Sequence, residues 1–490
     1  MSAELQHYLA ATRLRGSAPE RAHSGAAGGA PCGDLVRISL RLEAGVVAEV
    51  TYDCEGCAAA RAATAATAEM IENVSFADAA LIGAAEVEEA LGGLSPQGAH
   101  AAGLAVDALH RALGAAATSG EQLLAPPPSG TRTLVAMSGG VDSAVAALLV
   151  QGRGDQTFAV TLELWTDPRN DAEKSCCSAA AVRDARQLAH SLGIPHLTVD
   201  LREEFRSGVV EHFLSGYAAG QTPNPCVRCN GHIRLDAMIA IADRLGAAKL
   251  ATGHYARIEQ ASAGPALTAA ADPAKDQTYM LAALSAEALA RMNFPLAELT
   301  KPQVRARARV AGLAVADRVE SQDLCFLAGE GKRAFLRRHG GLNDAPGEIV
   351  NRDGERLGVH HGHHQFTVGQ RRGIGISSAR PLYVLATDAE ANRVTVGTAD
   401  ELSLERVSVS DATLHDSAGQ IDAVRLRYHS AALRCAVRDP DGAMPVAGRY
   451  RRLEVELDDP ARGGAAPGQT AVFLAGDRVA GHATIAAPSA

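Results

Sequence analysis

Two cysteines in the segment TPNPCVRCN, residues 222–230, have a spacing at which thiols do chemistry. Cys226 and Cys229 form a Cys-x-x-Cys pair, and the two prolines beside them predict a loop. Such a pair is typical of half a zinc site, of a redox couple, or of a site where thiols handle sulfur as a reagent. The chain has nine cysteines, an odd number, which favours reactive or metal-ligating thiols over a disulfide framework.

A second chemical pattern is the glycine turn in LVAMSGGVDSAVAALLV, which joins an apolar strand pattern to a helical one. Glycines let the backbone approach a ligand, and hydroxyls and N–H groups at a helix start bind phosphate, so the turn predicts a nucleotide site. It is not a Walker A loop, because the lysine is absent, and it is not a G-x-G-x-x-G fingerprint. The alternative is a plain turn with an Asp-Ser helix cap.

The scaffold for the turn is predicted from the strand and helix patterns that alternate after residue 131. We predict strands over TLVAM, TFAVTLELW, PHLTVD and AKLATGH, and helices over residues 142–152 and 178–192. Repeated β-α units predict a doubly wound parallel sheet, which binds its ligand at the carboxyl ends of the strands. The glycine turn follows the first of these strands.

The 490-residue chain is too long for one ordinary domain. Residues 1–122 combine a hairpin around an EAG turn with two long helical patterns, Ala58 to about Asn73 and Pro96 to Ala116, and predict an α+β domain. A proline-rich linker is predicted over 123–130. The further predicted domains are the α/β domain 131–338, a small central domain 339–402 and a C-terminal β-barrel 403–490.

Charge and hydropathy limit the environment of the protein. No run of eighteen apolar residues and no charged-then-apolar leader occurs, so we predict a cytoplasmic protein without a membrane partner. The net charge of −9 argues against a surface that binds nucleic acid throughout. Basic segments such as KPQVRARAR (301–309) and GKRAFLRRHG (331–340) are either solvated helix faces or local contacts for RNA phosphates.

Five further motifs follow in a fixed order: ATGHYAR, KDQTYML, ESQDLCF, HHGHHQFTVGQRRGIGI and RLRYHS. With the turn and the cysteine pair, they resemble the tRNA-specific 2-thiouridylases of the MnmA type over residues 131–485. The turn resembles the PP-loop of the ATP pyrophosphatase superfamily, whose members cleave ATP between the α and β phosphates and adenylate a carbonyl oxygen. The resemblance implies an enzyme that replaces oxygen by sulfur at position 2 of the wobble uridine of tRNA.

The resemblance also implies a role for individual residues. It places Cys229 at the nucleophile position and Cys325 at the persulfide-carrying position. The implied ATP-binding residues are Ala136, Met137, Ser138, Gly139, Gly140, Val141, Asp142 and Ser143, with Leu162 and Gly253 at the adenine pocket. The implied target-base loop is Asn224, Pro225 and Cys226, where some members have Asp in place of Cys226. The implied tRNA contacts are His254, Lys275, Asp276, Gln277, Arg427, Tyr428 and Gln469.

The implied chemistry needs two activations. A uridine carbonyl is a poor electrophile, so ATP must first adenylate O2; Mg²⁺ is implied with ATP, and Asp142 is the carboxylate on the metal side. Cys325 would carry a persulfide, and attack by Cys229 would release sulfide and leave a Cys229–Cys325 disulfide. Both thiols must then be accessible and partly ionised, which a polar loop near cationic groups favours. The implied partners are the tRNA anticodon stem-loop and a cysteine desulfurase or sulfur-relay protein.

Several alternatives remain open at the thiols. Cys226 and Cys229 need two more ligands for a zinc site, which SCCS (Cys176, Cys177) or Cys325 would have to supply. An iron–sulfur cluster bound by Cys226, Cys229 and Cys325 is another hypothesis, and it leaves the reaction unchanged. The alternative functions are another adenylating enzyme of the superfamily, such as an amidotransferase-type ligase or another tRNA thiolase, and a non-enzymatic iron–sulfur carrier.

The first 122 residues resemble the N-terminal iron–sulfur scaffold proteins of the IscU/NifU type. Cys32 and Asp34 match the Cys-Gly-Asp of that family, and Cys57 matches the cysteine at the start of its next helix. A third cysteine normally follows a histidine before the last helix, but here His100 is followed by Ala101. Cys54, Asp34 or His100 would have to compensate for it. The two interpretations are a working sulfur or cluster relay and a degenerate docking domain.

Overall fold

The computed structural model describes residues 2–29, 33–167, 178–261, 264–319, 324–327 and 329–487. They form two compact units, between which the chain passes several times. The first unit comprises Met1–Arg202, Asp236–His254 and Arg291–Phe326. The second comprises Glu203–Leu235, Tyr255–Ala290 and Leu327–Ala490. None of the described helices has the length and apolar character needed to cross a membrane.

Residues 2–118, the front region, form a three-stranded antiparallel sheet with helices packed on it. The predicted hairpin is present, and Ala44 and Gly45 at its turn both have positive φ. The two long predicted helices are also present, with ends shifted by a few residues. The elements are α1 (Ala3–Ala10), β1 (His23–Gly28), β2 (Leu35–Glu43), β3 (Val46–Glu55), α2 (Ala58–Ile71), α3 (Phe76–Ala79), α4 (Ala84–Ala90) and α5 (His100–Thr118).

The middle of the chain contributes elements to both units. In chain order they are β4 (Arg132–Ala136), α6 (Val141–Gln151), β5 (Gln156–Glu163), α7 (Ala179–Ser191), β6 (His196–Asp200), α8 (Arg202–Phe205), α9 (Glu211–Ala218), α10 (Pro225–Cys229), α11 (Leu235–Arg244), β7 (Lys249–Ala251), β8 (Arg257–Ala261), β9 (Gly264–Thr268), α12 (Thr278–Leu281), α13 (Ala286–Arg291), β10 (Met292–Asn293), α14 (Lys301–Val310) and α15 (Lys332–Gly340). π-Helical turns over Arg206–Val210 and Asn230–Arg234 precede α9 and α11.

The predicted parallel sheet lies in the first unit, with strand order β10-β7-β4-β5-β6. All four strands predicted from the sequence belong to it, and β10 adds a short edge strand. Its central strands are almost wholly buried because helices cover both faces, which explains their continuous apolar sequence. The parallel order brings the carboxyl ends of β7, β4 and β5 to one edge of the sheet.

The second unit ends in two β-structures. A four-stranded sheet has the order β12-β11-β14-β13. The strands β15, β18, β17, β16, β19 and β20 then form a barrel that pairing between β15 and β20 closes. The remaining bounds are β11 (Gly347–Val350), β12 (Arg356–His360), β13 (Tyr383–Asp388), β14 (Arg393–Gly397), β15 (Leu404–Leu414), β16 (Ala423–Arg425), β17 (Leu433–Arg438), β18 (Gly448–Ala461), β19 (Thr470–Ala475) and β20 (Arg478–Ile485).

The predicted fold class is therefore confirmed: an α+β region, a doubly wound α/β sheet and a C-terminal barrel. One feature of the barrel was not predicted from its sequence. The hairpin β8–β9, more than a hundred residues earlier in the chain, joins the barrel sheet through pairing of Thr268 with Arg478. Long-range pairing of this kind leaves no local pattern by which it can be recognised.

Candidate active site

The glycine turn, residues 138–143 or the nucleotide loop, connects β4 to α6 in the first unit. Gly139 has φ of +71°, which a side chain would strain. The Ser143 hydroxyl donates to the Gly140 carbonyl at 3.1 Å and accepts from the Ser138 N–H at 3.2 Å. The loop is thus folded back on the first turn of α6, whose N-terminus favours anions.

The other predicted nucleotide residues lie around this loop. Ala136 ends β4, the Met137 N–H donates to the Val160 carbonyl at 2.8 Å, and Leu162 is buried near the end of the neighbouring strand β5. Gly253 follows β7, and a Cβ at this position would lie 2.7 Å from the Ser143 nitrogen. Only glycine allows this close approach, so three adjacent strand ends meet at the loop.

A buried lysine pairs with the nucleotide loop. The Lys301 ammonium, at the start of α14, donates to both carboxylate oxygens of Asp142, at 2.8 and 2.7 Å. The Lys301 side chain is only 10% exposed. Sequence reasoning assigned Lys301 to a basic cluster and missed this contact, because the two residues are far apart in the chain. The loop therefore has a lysine partner although its own sequence lacks the Walker lysine.

An arginine holds the back of the same loop. Arg318 donates to the Gly139 carbonyl at 3.2 Å and pairs with Asp184 of α7 at 3.1 Å. Arg318 lies seven residues before Cys325, which belongs to a half-buried turn of the first unit. Cys176 and Cys177, and the start of the ESQDLCF motif, lie outside the described residues.

The predicted loop around Cys226 and Cys229 is wrong, because these residues form the short helix α10 in the second unit. The Asn224 side chain caps the helix and accepts from the N–H groups of Cys226 and Val227 at 3.1 and 3.2 Å. Pro225 occupies the first turn, where a missing N–H costs nothing. The prolines therefore start a helix here, and the cap aligns the target-base residues.

The Cys229 thiol of α10 is buried, and Cys226 is half-buried. Burial, with a smaller contribution from Cys229, raises the pKa of Cys226 to about 11, and Arg234 opposes this only in part. Cys229 is 8% exposed, which contradicts the expectation that it is openly accessible. In this conformation the Cys226 thiol is protonated at neutral pH. Attack by the Cys226 thiol therefore needs a change in its surroundings that lowers this pKa.

Predicted tRNA contacts of the second unit gather near this helix. Tyr279 hydrogen-bonds with the Asn224 side chain, and the rings of Tyr279 and Tyr428 are 5.8 Å apart. Burial first, then Asp276 and Cys226, raise the pKa of Tyr428, so this ring lies near the Cys226 thiol. Gln469 donates to the Thr222 carbonyl at 2.7 Å, just before the target-base loop. The structure thus brings Asn224, Cys226, Tyr428 and Gln469 into one neighbourhood.

Other predicted tRNA contacts have structural partners. Asp276 is buried, accepts from the Thr278 hydroxyl at 2.7 Å and pairs with Arg425 at 3.1 Å. The Gln277 side chain accepts from the Tyr255 N–H at 2.9 Å. Lys275 is half-buried in the same segment, and Arg427 donates to the Gly463 carbonyl. His254 lies in the first unit, where its Nδ1 is 2.7 Å from the Thr252 hydroxyl.

The front region holds a separate group of ligand-type side chains: Asp34, Cys57 and His100, the front cluster. One ligand atom from each lies within 4.8 Å of the others. Burial opposes ionisation of Asp34, but hydrogen bonds from the Cys57 N–H at 2.7 Å, from His100 and from the Cys57 thiol lower its pKa. His100 Nε2 lies 3.0 Å from an Asp34 carboxylate oxygen, which accepts, so Nε2–H is the donor; Nδ1 lies 3.0 Å from the Gln97 carbonyl. A cation bound at the cluster would take the place of the Nε2 proton.

The residues at and near the front cluster differ in their exposure to solvent. Cys57 is exposed and caps α2, whereas Cys54 is 3% exposed and is not part of the group. Ala101, at the place of the third scaffold cysteine, is completely buried in α5. Cys32 lies outside the described residues. The described donors are one carboxylate, one thiol and one imidazole, a set that suits a zinc-like cation.

Family models match most of the chain. The model described as NifU-like N terminal domain matches residues 3–118. The models described as tRNA methyl transferase HUP domain and tRNA methyl transferase PRC-barrel domain match residues 131–329 and 333–398. A bifunctional protein NifU/MnmA from Rubrobacter xylanophilus is 43% identical over 477 residues, which cover 94% of this chain and 93% of the relative. The chain belongs to this NifU/MnmA family.

Single-function relatives match the later part of the NifU/MnmA chain. A tRNA-specific 2-thiouridylase MnmA from Acidithiobacillus ferrooxidans is 45% identical over 355 residues, covering 71% of this chain and 97% of the relative. A crystal structure of a 4-thiouridine synthetase–RNA complex with bound ATP matches 42% of this chain and 47% of that chain, at 20% identity and a TM-score of 0.28. The resemblances to the thiouridylase and scaffold families are both confirmed.

Proposed function

We propose that the chain catalyses ATP-dependent 2-thiolation of the wobble uridine of tRNA, with the front region serving sulfur or metal handling. Membership of the NifU/MnmA family supports the reaction. The structural observation that best supports it is the nucleotide loop. Gly253, after β7, packs closely against this loop, and Lys301 pairs with Asp142 of the loop. This arrangement suits a nucleotide whose phosphates leave as pyrophosphate.

The nucleotide loop binds ATP in this proposal. Backbone N–H groups around Gly139 and Gly140, with the Ser138 and Ser143 hydroxyls, contact the phosphates. Lys301 neutralises charge that develops on pyrophosphate, the role that the Walker lysine has elsewhere. Asp142 is the candidate carboxylate for Mg²⁺, and Lys301 must release one of its oxygens for that. The products of this half-reaction are uridine adenylated at O2 and pyrophosphate.

The sulfur step uses Cys325 and Cys229. The Cys229 thiolate attacks the inner sulfur of a persulfide on Cys325, so that the S–S bond breaks and hydrosulfide leaves. Hydrosulfide adds to C2 of the adenylated uridine, and AMP departs with the former O2. The Cys229–Cys325 disulfide that remains must be reduced by an external thiol before the next cycle. Burial of Cys229 keeps it from other disulfides until the base is bound.

The tRNA partner is expected to present its anticodon stem-loop to the second unit. A flipped uracil needs hydrogen-bond donors and aromatic faces, and the half-buried Asn224 and Tyr428 provide them near α10, with the buried Tyr279 behind them. Arg427 and Lys275 supply positive charge for phosphates. An iron–sulfur cluster at Cys226, Cys229 and Cys325 remains the alternative arrangement of the same thiols, with the same product.

The front region supplies the second part of the proposal. Asp34, Cys57 and His100 would hold a zinc-like cation or an iron–sulfur precursor, with Cys32 as the fourth donor implied by the family. An exposed Cys57 is also suited to receive sulfur from a cysteine desulfurase or a relay protein. Ala101 occupies the position of the third scaffold cysteine and is buried. Because alanine has no ligand atom, nothing at this position replaces the thiol.

Mass spectrometry of nucleosides tests the reaction. Purified protein is incubated with tRNA, ATP, Mg²⁺, cysteine and a desulfurase, and 2-thiouridine is measured over time. We expect product with the wild type, none without ATP, and at least a 100-fold lower rate with Lys301→Ala. The matched control is Arg309→Ala on the same helix, since Arg309 pairs with the exposed Asp317, and its rate should stay within twofold. Well-folded wild type that makes no 2-thiouridine with any sulfur source would contradict the proposal.

A further inference from the structure

Helix α5 of the front region packs against the parallel sheet as well as against its own sheet. A Cβ on Gly25 of β1 would lie 2.1 Å from the Ala108 carbonyl of α5. A Cβ on Gly114 of α5 would lie 1.9 Å from the Thr198 carbonyl of β6. The backbone of α5 therefore touches strand backbone on two sides, which only glycine permits. One helix is shared by the two sheets of the first unit.

Buried charges fix this helix in position. Asp107 of α5 pairs with Arg183 at 2.6 Å and with Arg186 at 2.7 Å, both on α7. The side chains of Asp107 and Arg186 are 7% and 4% exposed. His110 of α5 lies with Nδ1 2.8 Å from the His196 carbonyl and Nε2 2.9 Å from the Ile82 carbonyl. Removal of one member of such a set leaves an unpaired buried group, so the arrangement is tolerated only when it is complete.

A further ion pair links α5 to the end of β5. Arg111 of α5 donates through Nε at 3.0 Å and Nη2 at 2.5 Å to the two oxygens of Glu163. Glu163 is the final residue of β5 and follows Leu162, and its side chain is 2% exposed. Its own carbonyl accepts from the Leu201 N–H at 3.0 Å, which ties β5 to the end of β6. Thr161, two residues earlier, donates to the Met137 carbonyl next to the nucleotide loop.

We propose that the front region completes the nucleotide site of the α/β sheet, with Arg111 as a positioning residue that holds Glu163 at the carboxyl end of β5. The inference rests on the proposed function, in that ATP binds at this edge of the sheet. A lone Glu163 carboxylate would be a buried negative charge at the strand end next to Leu162, and it would draw water and distort this end of the sheet. The front region is then part of the ATP-binding unit and not a swinging donor on a flexible linker.

The linker supports this interpretation. The segment 123–130 was predicted to be a proline-rich linker, and its first residues are fixed to the first unit. The N–H groups of Leu123 and Leu124 both donate to the Arg244 carbonyl, at 2.8 and 3.1 Å. The Gln122 side chain donates to the Leu124 carbonyl at 2.7 Å, and Leu123 is buried. The chain therefore leaves the front region against the end of α11, in the same unit as the sheet that α5 contacts.

The test compares ATP affinity in four full-length proteins by titration calorimetry without tRNA, well below their melting temperatures. Arg111→Gln should raise the Kd for ATP at least fivefold. The double variant Arg111→Gln/Glu163→Gln should return to within twofold of the wild type, because no unpaired charge remains. The matched control is Arg13→Gln, which breaks an exposed bidentate pair with Glu72 in the same region and should leave the Kd unchanged.

Each other outcome has one meaning. Arg111→Gln that melts at a lower temperature but binds ATP like the wild type would refute the inference, since Arg111 would then have only a structural role. Failure of the double variant to recover would also refute it, because the charge of Glu163 would not be the cause. Wild type that binds no ATP would refute the proposed function itself, and this inference with it.

Discussion

The two cysteine-bearing regions of this NifU/MnmA chain hold their thiols in opposite environments. In the front cluster, Cys57 is exposed and hydrogen-bonds to the Asp34 carboxylate at 3.3 Å. In α10, Cys229 is buried, and burial raises the pKa of the neighbouring Cys226 to about 11. The Cys57 thiol can meet another protein, whereas Cys229 is closed off from solvent and Cys226 is half-buried. Under the proposed function, acceptance of sulfur and its use would therefore take place in different local environments of one chain.

The difference also gives a reason for a fused front region. The half-buried Cys325, the proposed persulfide carrier, is less open to a protein partner than the exposed Cys57. In the proposal an exposed thiol in a rigid region receives sulfur, and α5 fixes that region to the ATP-binding sheet. The two regions can therefore be disabled one at a time by substitution, and the effects compared.

Substitution of the thiols should give the largest contrast. With desulfurase and cysteine as the sulfur source, Cys229→Ser should lower 2-thiouridine formation at least 100-fold, because the nucleophile is lost. Cys57→Ser should lower it less than tenfold, since sulfur can still reach Cys325 directly. The readout is nucleoside mass spectrometry, with Cys435→Ser in the barrel as the control for loss of a buried thiol. Equal losses in the first two variants would break the comparison.

Cys57 and Cys226 should differ by about tenfold or more in their rates of reaction with a small alkylating agent. Because the pKa of Cys226 is about 11, roughly one thiol in a thousand is ionised at pH 8. Cys57 should be alkylated by iodoacetamide much faster than Cys226, and the Cys226 rate should rise about tenfold per pH unit up to pH 10. Peptide-resolved mass spectrometry measures both rates in one sample. A Cys226 rate that does not depend on pH between 8 and 10 would contradict the assignment.

Cation binding should distinguish the front cluster from a plain helix cap. We expect His100→Ala to weaken zinc binding at least tenfold, because Nε2, which would exchange its hydrogen bond to Asp34 for the cation, is one of three described ligand atoms. Competition with a chromophoric chelator gives the affinity, in a Cys226→Ser/Cys229→Ser background that removes the second thiol pair. His7→Ala, which changes a histidine in α1, is the control. Unchanged affinity in His100→Ala would leave the cluster without a metal role.

The smallest expected effect is a loss of folding stability at low pH. It should come from His482 in the second unit at a higher pH than from Asp34 in the first. Burial lowers the pKa of His482 in β20 to about 4, whereas the unfolded chain binds the proton near pH 6.5. Between these values the unfolded state binds more protons, so the stabilisation is present above pH 6.5 and is lost as pH falls towards 4. The loss is on the order of 2 kcal/mol by pH 4.5. Asp34, whose pKa is lowered, contributes stability that is lost only below the usual range of Asp.

The measurement for this last prediction is the melting temperature as a function of pH. The wild type should lose about 5 °C between pH 6.5 and 4.5, and His482→Gln should lose less. His415, His232 and Arg449 also act on His482, so His415→Gln is a useful second variant that should raise the His482 pKa. Identical pH profiles in the wild type and His482→Gln would show that another group titrates.

Local sequence predicted the elements well and their environment poorly. The alternation of strand and helix patterns gave the parallel sheet, and the glycine turn was found at the end of β4. The cysteine pair was predicted to lie in a loop, because two prolines outweighed the Asn224-Pro225 pattern that caps a helix. The helix-capping pattern was present in the sequence. The loop and helix interpretations differ only in whether the residues after Pro225 continue in the α region.

Contacts between distant residues were not predictable in the same way. Nothing near Lys301 in the chain points to Asp142, and nothing near Arg111 points to Glu163. A basic residue in a helical pattern is most often solvated, so composition favoured the wrong environment for both. Their role follows only from the packing of α14 and α5 on the first unit.

The sequence by itself determined the family, the fold class, the nucleotide loop and the identity of the thiols, because these depend on residue types at short spacing. Only the tertiary structure decided which thiol is open and which is buried, and that the front region shares a helix with the ATP-binding sheet. The physical reason is that burial, pKa and ion pairing are properties of surroundings assembled from remote parts of the chain. The same Cys-x-x-Cys sequence would describe a fully exposed pair as readily as the pair in α10, where Cys229 is buried and Cys226 half-buried.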